Sequence, residues 1–282
     1  MKFVTLNDGN QMPILGLGVL AMSEEDCEQC VLDAIDAGYR LIDTAQGYGN
    51  ERAVGRAIQK SAVAREELFI TTKLWIAGFG YEKAKAAIQG SLERLQLDYI
   101  DLFLIHHPFN DYYGAYQALV EFQKAGKIKS IGVSNFYEAE VVDFVKHQEV
   151  IPAVNQLEMH PFHQRVALRD LMKKSNIAPQ AWSPFAQGRN DFFENEVLKE
   201  IGAKHNKSVA QVALRFLVQQ GISVVPKTVS KERMIENIAV FDFELSAEEM
   251  ATIAALDTKK TLIFDHYNPA DVERLINMER KF

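Results

Sequence analysis

Leu41-Ile42-Asp43-Thr44-Ala45-Gln46-Gly47-Tyr48-Gly49-Asn50-Glu51 decides how the chain reads. With Tyr39 before it, the stretch begins as a buried strand. Gly47 and Gly49 break it into a turn. A helix follows, with Asn50 expected as its N-cap and Glu51 in the first turn, where the helix dipole favours negative charge. The result is one strand–helix unit with an acid and a phenol at the carboxyl end of its strand. That is where α/β proteins assemble chemistry.

The same unit recurs outward in both directions. Strand-like segments at residues 14–18, 40–45, 68–74, 100–106, 128–135, 153–158, 178–183 and 222–227 alternate with helical segments. The helices are expected near 23–37, 50–61, 81–95, 111–125, 138–147, 164–175, 196–205 with 208–219, and 231–240. Ser208-x-x-Gln211 and Ser246-x-x-Glu249 are capping boxes that open helices. Crossover helices between strands imply a parallel sheet, and eight units in about 250 residues fit a (β/α)8 TIM barrel. An open doubly wound sheet is expected to carry G-x-G-x-x-G after its first strand. Here Gly16-Leu17-Gly18-Val19-Leu20-Ala21 lacks the third glycine, so the pair reads better as glycines at a strand end. Residues 3–13 read as a hairpin turning at Asp8-Gly9. Residues 258–282 read as a loop and terminal helix folding back over the active-site mouth. The whole chain, 1–282, is taken as a single barrel domain.

Composition agrees with a globular protein: 282 residues, 48% hydrophobic and 24% charged. A net charge of -7 argues against broad nucleic-acid or anionic-membrane binding. No apolar run has transmembrane length and no signal-peptide core opens the chain, so a cytoplasmic location is the default. Cys27 and Cys30 make a C-x-x-C pair, but they lie in an amphipathic helix without a second ligand pair. Two thiols on one helical face is the better reading than a redox or metal site.

The polar residues at strand ends carry the argument. Asp43 and Tyr48, Lys73, and His106 come from strands two, three and four. Singly, each has a bland explanation, such as a snorkelling lysine or a satisfied structural histidine. Together they complement one another. A phenol loses its proton near pH 10, a neighbouring ammonium lowers that value, and a carboxylate keeps the ammonium charged. Tyr48 then becomes a general acid, and a neutral His106 can orient a carbonyl.

These residues resemble the signature of the aldo-keto reductase superfamily. The resemblance rests on Asp43-Thr44-Ala45-x-x-Tyr48-Gly49-Asn50-Glu51, Thr72-Lys73-Leu74-Trp75, Leu104-Ile105-His106-x-Pro108, Gly132-Val133-Ser134-Asn135-Phe136, Asn155-Gln156-x-Glu158-x-His160-Pro161 and Val225-Pro226-Lys227. The motifs fall in the family order over nearly the whole chain. The compact loops and Phe264-Asp265-His266 resemble the bacterial 2,5-diketo-D-gluconate reductase-like, prostaglandin F synthase-like branch.

The resemblance implies NADPH-dependent reduction of aldehydes and ketones, with Asp43, Tyr48, Lys73 and His106 as the catalytic tetrad and no metal. It implies that Ser134, Asn135 and Gln156 bond the nicotinamide carboxamide. Trp182 is expected to stack on the nicotinamide ring in place of the usual tyrosine. Gly18, Ser183, Phe185 and Gln187 are likewise assigned to the cofactor. Lys227, Thr228, Val229, Ser230, Arg233, Glu236 and Asn237 match the adenosine end. There, cations beside hydroxyls at a helix N-terminus suit a 2′-phosphate and so favour NADPH over NADH. Surface decoration of an exposed helix is the bland alternative.

The chain departs from the family pattern at the substrate pocket. His107 stands where a tryptophan often follows the catalytic histidine, and Leu20 where many mammalian relatives have tryptophan. With Trp75 they are expected to line a more open, less aromatic pocket. The loop at 184–191 is short, which argues against a long cofactor-clasping belt. Small carbonyls, glyoxals and diketones are the expected substrates and a monomer the expected state. Two rivals remain. One is a metal-dependent hydrolase using His106, His107, His160 and His163, disfavoured because adjacent histidines on a strand face opposite ways. The other is a nucleotide-sensing regulatory subunit with slow turnover.

Overall fold

The computed structural model describes residues 2–278; Met1 and the last four residues of the expected tail lie outside the described residues. Two short strands, β1 (Phe3–Thr5) and β2 (Gln11–Pro13), pair antiparallel as the expected hairpin. Eight further strands follow in chain order: β3 (Leu17–Gly18), β4 (Leu41–Asp43), β5 (Phe69–Leu74), β6 (Ile100–Ile105), β7 (Ile128–Ser134), β8 (Val154–Glu158), β9 (Ala178–Trp182) and β10 (Ser223–Val225). Each pairs parallel with its sequence neighbour. The first and last strands meet through Leu15 and Val224, with Gly16 N–H donating to Val224 O and Gly18 N–H to Pro226 O. This closes the barrel. Regular pairing in the first strand is shorter than residues 14–18 suggested. A side chain at Gly18 would meet Val225 O at 2.9 Å, and one at Gly16 would strike Leu41. Close strand approach explains both glycines.

The crossover helices are α1 (Glu24–Asp36), α2 (Glu51–Lys60), α3 (Tyr81–Leu95), α4 (Tyr112–Lys124), α5 (Glu138–His147) and α6 (Val166–Lys174). They continue with α7 (Glu196–His205), α8 (Val209–Gln219) and α9 (Lys231–Ile238). Then α10 (Ala247–Ala254) and α11 (Pro269–Ile276) complete the chain. Both capping boxes form, at Ser208/Gln211 and Ser246/Glu249.

The apolar core has two layers. One fills the barrel: Leu6, Met12, Leu41, Phe69, Leu102, Leu104, Val154 and Val225. Leu6 and Met12 come from the hairpin, which plugs the amino-terminal end. Asn7 Nδ2 donates to Pro152 O and Asn10 Nδ2 to Ser130 Oγ, fixing the plug there. The larger layer lies between strands and helices and includes the free, buried Cys27 and Cys30. Burial pushes the Cys27 thiol up to about 12, so it is an inert apolar filler.

Asn50 departs from its expected role. It occupies the position before α2, but its side chain makes no cap bond. It accepts from Thr44 Oγ1 (2.7 Å) and donates to Val19 O (2.9 Å), joining the loops after β3 and β4. Glu51 does more than meet a helix dipole. It is buried, accepts from Thr72 Oγ1 (2.6 Å) and pairs with Arg94 (2.7 Å).

Candidate active site

A cavity of about 590 Å³ opens at the carboxyl ends of the strands. Asp43, Tyr48, Trp75, His106, Trp182 and Phe264 are among its walls. Lys73 lies beneath it with none of its surface exposed. An ammonium has three protons to place. Lys73 Nζ donates to Asp43 Oδ1 at 2.6 Å, Thr44 O at 2.9 Å and Tyr48 Oη at 3.4 Å. Asp43 is held from its other oxygen by Gln156 Nε2 at 2.7 Å. Burial alone would push the Lys73 ammonium down, but the Asp43 carboxylate and the Tyr48 phenol outweigh it and raise its pKa. A permanent positive charge therefore sits under the phenol oxygen, where it stabilises negative charge developing there.

His106 closes the group from β6, its ring edge-on to Tyr48 (5.8 Å between centroids) and to Trp75 (5.2 Å). The backbone turns directly behind it: Asn135 adopts a left-handed φ of 63° and donates from Nδ2 to His106 O at 3.0 Å. Trp182 Nε1 donates to Asn135 Oδ1 at 3.0 Å. Ser134 Oγ donates to Gln156 O at 2.9 Å. Thus Ser134, Asn135, Gln156 and Trp182 converge on one wall. Gln156 also has a task the sequence did not suggest. Its Nε2 protons go to Asp43 and to Gln180 Oε1 (2.7 Å), so it serves first as a clamp on the acid.

The second histidine corrects an expectation. His106 and His107 do not face opposite ways. Their rings stack with centroids 4.5 Å apart and planes 9° from parallel, and both line the cavity. Strand alternation no longer applies, because β6 ends at Ile105. His160 and His163 lie elsewhere: His160 meets Glu158 (3.1 Å), and burial with Arg165 nearby pushes the His163 imidazole down to about 4.

A second compartment of about 620 Å³ adjoins the first and shares Phe185, Gln187 and Lys227 with it. Thr228, Val229, Ser230, Arg233, Glu236 and Asn237 line it, together with Phe193 and the start of α8. Ser230 caps α9 by accepting from Arg233 N–H. Lys227 and Arg233 are exposed, and neither has a carboxylate within ion-pair distance among the described residues. Lys231, by contrast, is drawn to Asp33 at 3.3 Å. Glu236 accepts from Ser208 Oγ. Gly18, Leu20 and Ser183 border the first compartment.

The loop between β9 and α7 roofs both compartments. Ser183, Ala186, Gln187, Asn190 and Asp191 all have left-handed φ, between 48° and 56°. Arg189 donates to Leu262 O, tying this roof to the carboxyl-terminal tail. The tail does reach the mouth: Ile263, Phe264, His266 and Leu275 line the cavity. It is anchored at Glu158, which accepts from Thr261 Oγ1 and from Leu262 N–H. Burial would raise the Glu158 carboxyl, but hydrogen bonds from His160, Thr261 and Leu262 hold it below its usual range.

Three buried groups escaped the sequence reading. Gln46 accepts from Trp75 N–H and donates to Ser91 Oγ and Ala87 O, bracing the turn that carries Tyr48. Gln180 passes the Asp43–Gln156 chain on to Ser223 Oγ at 3.2 Å. Tyr137 meets His266 across the mouth. A polar residue inside an apolar strand was the available signal for Gln180; Gln46 and Tyr137 had none.

A closed parallel barrel with Asp43, Tyr48, Lys73 and His106 gathered at its carboxyl mouth defines a class of protein, and comparison with known proteins agrees. The family model described as Aldo/keto reductase family matches residues 14–258, and the chain belongs to that family. It is 49% identical over 256 residues to a glyoxal reductase of Bacillus subtilis, covering 90% of this chain and 92% of the relative. It is 42% identical to a methylglyoxal reductase of Salmonella typhimurium over 262 residues, covering 92% of this chain and 94% of that one. A crystal structure of a Bombyx mori aldo-keto reductase in complex with NADP superposes with a TM-score of 0.89 at 35% identity, covering 96% of both chains.

Proposed function

We propose that this chain reduces small aldehydes and ketones, including glyoxals and diketones, with NADPH, using Tyr48 as the proton donor. The observation that carries the reading is the buried ammonium of Lys73, with its third proton on Tyr48 Oη and its first on Asp43. The two-compartment cleft supports the cofactor. Ser134, Asn135 and Trp182 line one compartment, and Lys227 and Arg233, exposed and without a carboxylate in ion-pair distance among the described residues, line the other near the start of α9. Such a terminus with nearby hydroxyls suits a phosphate. The similarity to glyoxal and methylglyoxal reductases and to a relative bound to NADP supports the cofactor and the glyoxal substrates.

Bound there, NADPH supplies the hydride. Ser134, Asn135 and Trp182, which line one wall of the cavity, would hold its nicotinamide end. His106 donates a hydrogen bond to the carbonyl oxygen and aims it at Tyr48. Tyr48 gives its proton to that oxygen as negative charge develops on it. The Lys73 ammonium stabilises the phenolate left behind, and Asp43, held by Gln156, keeps the ammonium in place. Donors fixed in advance around the reacting oxygen cost no reorganisation during the step, which is where most of the barrier reduction arises. Leu20, Trp75 and His107 shape the substrate pocket. A cytoplasmic monomer is part of the proposal. No helix among the described residues is long and apolar enough to cross a membrane.

A panel of aldehydes, glyoxals and diketones assayed with NADPH and with NADH tests the proposal. Steady turnover with NADPH, faster than with NADH, is expected. Stoichiometric NADPH binding without turnover of any carbonyl would favour a nucleotide-sensing subunit instead.

A further inference from the structure

A row of polar side chains crosses the apolar interior of the barrel and ends at the tetrad. Gln156 on β8, Gln180 on β9 and Ser223 on β10 are in register, so all three stand at one level on the same face of the sheet. Gln180 and Ser223 have none of their surface exposed. Gln156 lines the cavity and Gln180 does not. The interior cluster is otherwise apolar, with Leu41, Leu102 and Val154. Amides and a hydroxyl in such a place are costly unless their protons are placed.

The ends of the row decide which way its amides face. Pro13 O is an acceptor only, so Ser223 Oγ gives its proton there (3.2 Å) and accepts from Gln180 Nε2 (3.2 Å). The second Nε2 proton of Gln180 goes to Met12 Sδ at 3.5 Å. Gln180 therefore turns Oε1 toward Gln156, whose Nε2 donates to it at 2.7 Å. The Asp43 carboxylate, paired with the Lys73 ammonium, is also an acceptor only and takes the other Gln156 proton at 2.7 Å. Each proton in the row has one acceptor, and the atom Gln156 keeps for the cavity is Oε1.

Resting on NADPH-dependent reduction as the reaction, we propose that Gln180 is a positioning residue for the cofactor's carboxamide. It takes one proton of Gln156 while Ser223 and the hairpin hold it from behind, and so fixes the Gln156 carbonyl as an acceptor for the carboxamide N–H. The plug at the amino-terminal end of the barrel thereby sets how the opposite mouth reads the nicotinamide. A site built to hydrogen-bond an N–H group rejects the analogue that lacks it, because the acceptor is then left without its partner.

The test compares dissociation constants, from quenching of protein fluorescence, for NADP+ and for its acetylpyridine analogue, in which a methyl group replaces the amide nitrogen and the carbonyl is kept. Wild-type protein should bind NADP+ about tenfold more tightly, the worth of one hydrogen bond. Gln180→Met keeps the length of the side chain but offers Gln156 no oxygen, and should cut that preference to about threefold or less. Gln180→Glu keeps an oxygen facing Gln156 and should restore it to within about twofold of the parent. Ser223→Ala removes the anchor behind Gln180 and should lower it about twofold. A merely structural role would weaken both dinucleotides alike. An unchanged preference in Gln180→Met, or in Ser223→Ala should Gln180→Met not fold, overturns the proposal. So does a Gln180→Glu variant that discriminates no better than Gln180→Met, and so does wild-type protein that binds the two dinucleotides equally. Wild-type protein that binds neither would instead sink the underlying reaction.

Discussion

Lys73 has none of its surface exposed and all three protons taken, whereas Lys227 and Arg233 stand in solvent with no carboxylate in reach among the described residues. The two ends of one cleft thus treat positive charge in opposite ways. At the reacting end the chain compensates the charge itself and fixes it through Asp43, Gln156 and Gln180. At the far end it leaves the charge open, beside a helix N-terminus. A buried charge must be matched within the fold because desolvation is costly; an exposed one can wait for a ligand. The contrast separates what the fold must hold permanently from what binding completes.

The comparison breaks first at Lys73. Lys73→Met should leave Asp43 as a buried acid with one partner gone, costing about 3–5 kcal/mol in stability and 10²- to 10⁴-fold in kcat. Urea titration and steady-state assay check this; a variant as stable as the parent would mean the pair is not compensating as described. Arg233→Ala and Lys227→Ala should do the reverse. Stability should hold within about 0.5 kcal/mol, while NADPH affinity falls roughly 10- to 100-fold, more than NADH affinity. Equal losses for the two cofactors in fluorescence titration would remove the phosphate reading.

A smaller effect sharpens the contrast between barrel and tail. His163 and His266 are pushed down to about 4 and about 3 by burial with Arg165 nearby, below the unfolded value near 6.5. The unfolded chain therefore binds protons first, so stability is full above about pH 6.5 and falls as pH drops toward 4. Each group contributes up to about 1.4 kcal/mol per pH unit. His266→Phe should flatten part of that slope in urea titrations across this range; an unchanged slope would mean His266 is not buried neutral.

The barrel was legible because its signals are local. Alternating strand and helix segments, the capping boxes at Ser208 and Ser246, and turn glycines each act within a few residues, and β-strand ends mark where chemistry gathers. Asp43, Tyr48, Lys73 and His106, the four residues proposed to react, stood out for the same reason, as polar groups at strand ends, and the fold brings them together. What the sequence hid depends on partners far apart in the chain. Asn50 looks like a cap until Thr44 and Val19 claim its side chain. His106 and His107 look opposed until β6 proves to end at Ile105, before both, although His107 was already expected in the pocket. Gln46, Gln180 and the Tyr137–His266 pair serve contacts that no spacing rule predicts. Lys227 and Arg233 were expected together and both line the far compartment, but that neither meets a carboxylate among the described residues became visible only in the fold, where Lys231 takes Asp33.

The central claim is that proton donation and the charged hold on the cofactor's phosphate occupy separate ends of the cleft, with Tyr48 belonging only to the first. Tyr48→Phe removes one oxygen and leaves the Lys73–Asp43 pair and the far compartment intact. The account predicts that NADPH binding, measured by fluorescence titration, stays within about threefold of the parent while kcat for methylglyoxal falls at least about a thousandfold. Near-parental kcat in that variant would contradict it.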